Sequence, residues 1–303
     1  MNLTNSMVLT KEEIKNKSPW WSIFFVLVTF VGGAILFGFL IGIIATIMGI
    51  PSEILFKSSD DSSVGALINL SIFPVYLVLI LLINKYFYKK TTTSLGFSST
   101  KIFQNYFLGL VLGLMVFLIV YGGNWLSRSV STTLNPSINW SMIFILFITF
   151  TIQGMTEEVL IRGFVMNIIS VKVKPVRSIL INSLIFAGIH LGNDNVTFLS
   201  IFNLFIFGIL FSMLFYWSDN MWLTGAAHSI WNFTMGPVLG IEVSGLILND
   251  TIFKTVSIPS KSLLNGGTFG LEGGIVTTII GVLGCLILWY VSKDKWKTDY
   301  YMI

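Results

Sequence analysis

The sequence predicts an all-α protein, specifically a polytopic membrane helix bundle of about eight transmembrane helices. Of its 303 residues, 54% are hydrophobic and 11% are charged, with a mean hydropathy of +0.84, whereas soluble domains carry roughly 25% charged residues. Several apolar runs reach the roughly 20 residues that a helix needs to cross a bilayer. Tryptophans such as Trp20, Trp125 and Trp217 lie near the ends of these runs, where indole rings favour the headgroup layer.

The helices are placed by these apolar runs, and together they form a single membrane domain over residues 1–303. The first run is too long for the h-region of a signal peptide, and residues 1–19 before it form a polar, cytoplasmic segment. The fifth helix is short and is separated from the sixth only by Gly192 to Asn195. The predicted helices cover residues 20–49, 64–84, 105–126, 139–169, 177–192, 196–217, 221–240 and 275–292.

The distribution of cations predicts the orientation of the chain. With eight helices, 13 lysines and arginines fall on the side of both termini and four on the other side, while Arg162 lies within a helix. An excess of cations marks cytoplasmic loops, so both termini are predicted to be cytoplasmic. The net charge of +4 therefore reflects orientation, and no nucleic-acid partner is expected.

The longest connection, residues 241–274, is predicted to be an extracytoplasmic loop. It contains Glu242, Asp250 and two pairs of glycines. A lid and an unstructured loop are both compatible with this composition.

Two pairs of glycines have a spacing that lets membrane helices approach closely. Gly38 and Gly42 lie in the first helix, and Gly109 and Gly113 in the third. Small residues four apart favour close helix packing. The lone Cys285 is interpreted as a small packing residue, and no disulfide can form within the chain.

Adjacent acids lie inside the fourth apolar run. Ionised groups at membrane depth cost a few kcal/mol each, and they usually mark an ion path, a substrate site or a catalytic centre. Glu158 and Arg162 share a helix face and can form an ion pair. Glu157 points about 100° away and is free for other partners. The sequence alone leaves open which acid is ionised and which acts as a base.

The only two histidines lie in other predicted helices. Phe186 precedes His190 by four residues, and His228 precedes Asn232 by four. Counted from the cytoplasmic helix ends at 1.5 Å per residue, Glu158, His190 and Asn232 lie at roughly 20 Å depth and His228 at about 14 Å. A lone membrane histidine is commonly an interhelical contact, but two at the level of a glutamate pair favour a functional site.

In these residues the chain resembles the CPBP family of intramembrane proteases, also called the Abi or CAAX-protease family, which includes the Rce1-type prenyl-protein endopeptidases. The family pattern is EExxxR, FxxxH and HxxxN on successive membrane helices. Here it reads Glu157-Glu158-x-x-x-Arg162, Phe186-x-x-x-His190 and His228-x-x-x-Asn232. The catalytic helices are expected within residues 139–240.

The resemblance implies hydrolysis of a peptide bond inside the membrane. Glu157 would activate the water as general base, and His190 would help to hold that water. His228 and Asn232 would stabilise the oxyanion, and Phe186 would line the substrate pocket. Glu158 and Arg162 would shape and charge-balance the site.

The resemblance leaves open whether a metal takes part. One glutamate and two histidines match a catalytic zinc site in ligand count. Against zinc, the histidines lie on different helices rather than in a local HExxH motif, and Asn is a poor zinc ligand. We therefore expect a metal-free glutamate mechanism, with zinc as the alternative.

Three functions compete at this stage. The first is an intramembrane endopeptidase that acts on a membrane-associated peptide or a lipidated protein. The second is a non-proteolytic bacteriocin-immunity or scaffolding protein, and the third is an ion-coupled transporter, which normally shows symmetrical repeats. The family and the composition favour a bacterial plasma membrane as the location, with lipids as further partners.

Overall fold

The computed structural model describes residues 5–14, 17–49 and 63–295, and each of the eight predicted helical segments contains a helix. The all-α class is confirmed, because the only sheet in the described ranges has two strands. The main helices are α1 (Ser6–Glu13), α2 (Trp21–Met48), α3 (Ser63–Leu70), α4 (Phe73–Leu82), α5 (Ile102–Leu126), α6 (Trp140–Glu158), α7 (Pro175–Ile189), α8 (Phe198–Ser218), α9 (Met221–Phe233) and α10 (Ile275–Val291).

Five helical stretches in the described chain are long and apolar enough to cross a membrane, so this is a membrane protein. They are α2, Val64–Phe87, α5, Trp140–Ile169 and α8. The other three predicted spans are shorter, since α7 has 15 residues, α10 has 17, and α9 has 13 followed by a five-residue π-helical stretch, Thr234–Val238. The expectation of eight helical segments is correct, but these three fall short of the roughly 20 residues of a full straight span.

The helices divide into a buried centre and a lipid-facing rim. The most apolar window of α2 is 17% buried, whereas that of Trp140–Ile169 is 61% buried and that of α8 is 56%. On α2, Ile35 and Phe39 are each 70% exposed, as expected for side chains that face acyl chains. Glu157, Glu158, Arg162 and His228 are buried, so these titratable residues lie in the part of the bundle that is shielded from lipid.

Glycines bring α9 into backbone contact with α5 and α6. A Cβ on Gly109 would overlap the carbonyl of Leu223, and one on Gly113 would overlap the carbonyl of Ala227. The packing prediction is thus right for α5. It is wrong for α2, where a Cβ on Gly38 or on Gly42 would meet no described atom within 4 Å.

Residues 241–274 form an ordered structure over one end of the bundle, so the unstructured alternative is wrong. Strand β1 (Val130–Leu134) pairs antiparallel with β2 (Phe253–Ser257), in the register Val130↔Ser257 to Leu134↔Phe253. This pairing was not predicted. Further along, Phe269 and Leu271 are fully buried and anchor short helical turns at Gly267–Phe269 and Leu271–Gly273.

The N-terminal helix closes the opposite end. The Ser6 hydroxyl donates to Asp219 Oδ1 at 2.6 Å, and Asp219 follows the last residue of α8. Glu13 accepts a hydrogen bond from the Thr91 hydroxyl at 2.7 Å. Because these bonds join α1 to the loops after α4 and α8, all three lie at one end of the bundle.

Candidate active site

Helix α6 presents the adjacent acids at its last two positions. The helix continues without a break as a π-helical stretch, Val159–Met166, a geometry that is rare and often found at functional sites. Arg162 Nη1 donates to Glu158 Oε1 at 2.8 Å, and neither side chain is exposed to solvent. The predicted ion pair is therefore present and entirely buried.

Glu158 also binds the second helix of the site. His228 Nδ1 lies 2.7 Å from Glu158 Oε1, so Nδ1 is the protonated nitrogen of a ring that donates to the carboxylate. The His228 ring stacks on Phe211 at 5.1 Å and 28°. These contacts fix the ring and direct Nε2 away from the ion pair.

Glu157 lies on the other side of the His228 ring from the ion pair and keeps some contact with open space. Its side chain is 10% exposed, whereas that of Glu158 is fully buried. Glu157 Oε1 accepts a hydrogen bond from Gln153 Nε2 at 2.6 Å. Oε2 lies 3.7 Å from His228 Nε2, so a single water beside these two atoms, on the cavity side, is within hydrogen-bond reach of both.

The third helix contributes His190 at its end. We predicted a helix over 177–192, but α7 ends at Ile189 and His190 is its C-cap. His190 Nδ1 bonds the Phe186 carbonyl at 2.8 Å, which leaves Nε2 available. The Phe186 ring lies 4.7 Å from the His190 ring and 4.6 Å from Arg162 Cζ, so it separates the cation from the histidine.

Asn232 is linked to the other site residues by Gln153, which the sequence analysis did not single out. Its Nδ2 donates to Gln153 Oε1 at 2.9 Å, and Gln153 in turn donates to Glu157. A chain of hydrogen bonds therefore runs from α9 to the Glu157 carboxylate. The only sequence signal for Gln153 is its position one turn before Glu157.

One cavity of about 320 Å³ joins these groups. Five of the predicted site residues line it, whereas Glu158 and Arg162 lie behind its wall. The five are Glu157, Phe186, His190, His228 and Asn232, and other lining residues include Gln153, Asn193, Asp194, Phe211, Trp231, Ser244 and Glu272.

Glu272 is a second residue that sequence reasoning missed. It comes from the segment 241–274, and its carboxylate accepts hydrogen bonds from Trp231 Nε1 at 3.0 Å and from the Ser244 hydroxyl at 2.5 Å. Trp231 directly precedes Asn232 in α9. A distant loop acid carries no helical spacing, so no pattern in the sequence could have placed it here.

The titratable side chains of the site can be compared with the donor set of a catalytic zinc, which needs three protein ligands. Within the described ranges, no three His, Cys, Asp or Glu side chains are arranged to hold a metal. His228 bonds the buried Glu158 through Nδ1, so its Nε2 keeps no partner among these bonds, and Asn232 donates to Gln153. Glu157, His190 and His228 share a cavity without forming a compact three-donor centre.

A family model described as Rce1-like, type II CAAX prenyl endopeptidase Rce1-like, matches residues 139–234. This stretch contains α6 to α9 and with them all six motif residues. The resemblance inferred from the motifs is thus confirmed. No curated protein and no solved structure shows a significant match to the chain.

Proposed function

Because residues 139–234 match the family model for Rce1-like type II CAAX prenyl endopeptidases, we propose that the chain is an endopeptidase that hydrolyses a peptide bond with a glutamate-activated water. The observation that carries this proposal is the 3.7 Å gap between Glu157 Oε2 and His228 Nε2 at the wall of a shared cavity. A water in the cavity beside these two atoms would contact a carboxylate base and an imidazole while facing a bound peptide.

In the first step, the water oxygen attacks the scissile carbonyl carbon and one water proton moves to Glu157 Oε2. Gln153 holds Oε1, so Oε2 is the oxygen that is free to act as base. A positioned carboxylate of this kind typically contributes 10² to 10⁴-fold to a rate. His190 Nε2, on the same cavity, helps to orient the water.

The oxyanion of the tetrahedral intermediate is stabilised by His228 Nε2–H, when that nitrogen is protonated, and by the second N–H of Asn232. Fixed donors gain strength in a site from which bulk water is excluded. The intermediate then collapses: the carbon–nitrogen bond breaks, and Glu157 returns its proton to the leaving amine. The products are a new carboxyl terminus and a new amino terminus.

Glu158 and Arg162 act through His228 rather than on the substrate. The Glu158 carboxylate holds Nδ1–H of the ring, which fixes the tautomer and supports positive charge on the imidazole. Arg162 compensates the charge of Glu158 out of contact with the cavity. No metal is required for this scheme, and we propose none.

The proposed location is a bacterial plasma membrane with both termini in the cytoplasm. Its support is the excess of cations at the end of the bundle that holds α1 and the end of α10, since cytoplasmic loops are enriched in Lys and Arg.

The test is a comparison of peptides from cells that carry the wild-type chain or Glu157→Gln. We expect at least one membrane-associated peptide to accumulate uncleaved in the variant, because the amide cannot take the proton from water. Glu12→Gln is the matched control, since Glu12 is exposed at the far end of the protein. An unchanged peptide pattern in Glu157→Gln cells that contain normal amounts of folded protein would favour the scaffolding function instead.

A further inference from the structure

The two ends of the bundle differ strongly in charge. In the described ranges, one end carries eleven lysines and arginines and the other carries three; Lys15, Lys57 and Lys297 lie outside those ranges. The cation-rich end contains Lys11, Lys17, Lys85, Lys89, Lys90, Lys101, Lys172, Lys174, Arg177, Lys293 and Lys295, and the cation-poor end contains Arg128, Lys254 and Lys261.

Hydrogen bonds between the connections confirm which segments share an end. At the cation-rich end, Asn167 donates to the Ser94 carbonyl at 3.0 Å. At the cation-poor end, Lys261 Nζ donates to the Ser127 carbonyl at 2.7 Å. The positive-inside rule then places the cation-poor end outside the cytoplasm.

The cavity extends to this cation-poor end, because residues of two connections at that end line it. His190 lies where α7 ends, and the exposed Asp194 follows it in the connection to α8. Asn193 Nδ2 donates to the Ser244 carbonyl at 2.9 Å, and Ser244 also donates to Glu272. The rim of the cavity is thus built from the α7–α8 connection and from residues 241–274.

The lining of the cavity is acidic. Glu157, Asp194 and Glu272 contribute carboxylates, and no lysine or arginine is among the described residues that line it. The nearest buried cation, Arg162, is paired with Glu158 and covered by the Phe186 ring. A CAAX substrate is a lipidated C-terminal tetrapeptide, so its free carboxylate would enter this cavity close to the scissile bond and meet three carboxylates and no lysine or arginine, while His228 is engaged with the oxyanion.

We propose, on the basis of the proposed peptidase function, that the substrate is an internal bond of a membrane-associated peptide presented from the extracytoplasmic side. The open end of the cavity faces away from the cytoplasm, where prenylated C-termini reside. Its acidic lining favours a peptide whose terminal carboxylate lies far from the cleaved bond, and it suits a neutral or basic residue beside that bond.

The first measurement is of sidedness and does not depend on activity. In a Cys285→Ser background, Ser99→Cys and Ser260→Cys each introduce one exposed thiol, at the cation-rich and cation-poor ends respectively. In intact cells, a membrane-impermeant maleimide is expected to label Ser260→Cys and not Ser99→Cys, and permeabilisation should expose both. The reverse pattern would overturn the proposal even if the chain is an active protease.

The second measurement concerns the peptide that accumulates in Glu157→Gln cells. Purified wild-type protein in detergent is given two synthetic versions of it, which end three or ten residues beyond the cleaved bond, each with a free carboxylate. The shorter peptide should have a kcat/KM about tenfold lower than that of the longer peptide, because its carboxylate lies among the acids of the cavity. In Glu272→Gln the two kcat/KM values should lie closer together. A preference for the shorter peptide, or for a farnesylated C-terminus, would overturn the proposal, whereas failure to cleave either would overturn the peptidase function itself.

Discussion

Replacing Arg162 by methionine should destabilise the protein more than almost any other single substitution. The guanidinium and the Glu158 carboxylate are 2.8 Å apart and both are completely buried. Methionine keeps the apolar stem and removes only the cation. Glu158 then retains His228 as a partner but loses its charge compensation.

The size of the loss follows from what remains buried. Removing one partner of a buried ion pair typically costs about 3–5 kcal/mol. Arg162 also donates to the Gly208 carbonyl at 3.3 Å, a long bond for which about 0.5 kcal/mol is appropriate. Because His228 still donates to Glu158, we expect the free energy of unfolding to fall by about 3–4 kcal/mol.

The double variant Glu158→Gln/Arg162→Met separates charge from packing. Both charges are then gone, and the glutamine oxygen still accepts from His228. Replacement of a whole buried pair is often close to neutral, so the double variant should recover at least about 2 kcal/mol relative to Arg162→Met. Arg177→Met is the control, since Arg177 is exposed in the first turn of α7, and it should change stability by less than about 0.5 kcal/mol.

Unfolding would be followed by circular dichroism during titration of the detergent-solubilised protein with SDS. Two results would refute the argument that an uncompensated Glu158 charge dominates. The first is a decrease in the free energy of unfolding of less than about 1 kcal/mol for Arg162→Met. The second is a double variant whose decrease equals the sum of the decreases of the two single variants. Such results would mean that water or a proton reaches Glu158 despite its burial.

Three further predictions concern packing, metal and pH. Gly113→Ala should lower both activity and stability because the new methyl group pushes α9 away from α5, whereas Gly38→Ala should be silent in both assays. Cleavage should persist in EDTA or 1,10-phenanthroline, and a loss that is restored by zinc would contradict the metal-free scheme. Lys90 is buried near Glu13, and burial lowers its pKa from 10.5 to about 7. Below pH 7 the Lys90 ammonium is charged in both the folded and the unfolded state, and burial of this charge destabilises the folded protein. As the pH rises from 7 towards 10, Lys90 is neutral in the folded state and charged only in the unfolded state, so the free energy of unfolding increases. Lys90→Met should therefore raise the melting temperature at pH 6 and have a progressively smaller effect up to pH 10; a gain that is independent of pH would contradict this assignment.

Local spacing predicted the contacts that lie within one helix. The i,i+4 relation of Glu158 and Arg162 predicted an ion pair that the structure contains, even though the helix changes to π geometry between them. The different direction of Glu157, about 100° away, also follows from helical rotation. Helix ends were less predictable: His190 was expected inside the helix, but it caps α7. Where a helix ends depends on how its backbone joins the next connection, and the spacing of side chains does not report this.

Contacts between distant segments could not be read from spacing. Glu272 reaches Trp231 across 41 positions, and β1 pairs with β2 across more than 110. The two glycine pairs make the same point, because identical spacing packs α5 against α9 and leaves α2 facing lipid. Only the packed structure shows which surface meets a partner.

The amino-acid sequence by itself determined that the chain is a membrane helix bundle and which end bears the cations, and it predicted the residues that now line or support one cavity. These properties follow from composition and from short-range periodicity, which act along one helix at a time. The tertiary structure alone decided that Glu157 faces the cavity while Glu158 is sealed against Arg162 and His228, and that residues 241–274 form the rim. Burial is a property of how helices pack together, and it therefore separates two adjacent, chemically identical side chains that the sequence could not distinguish.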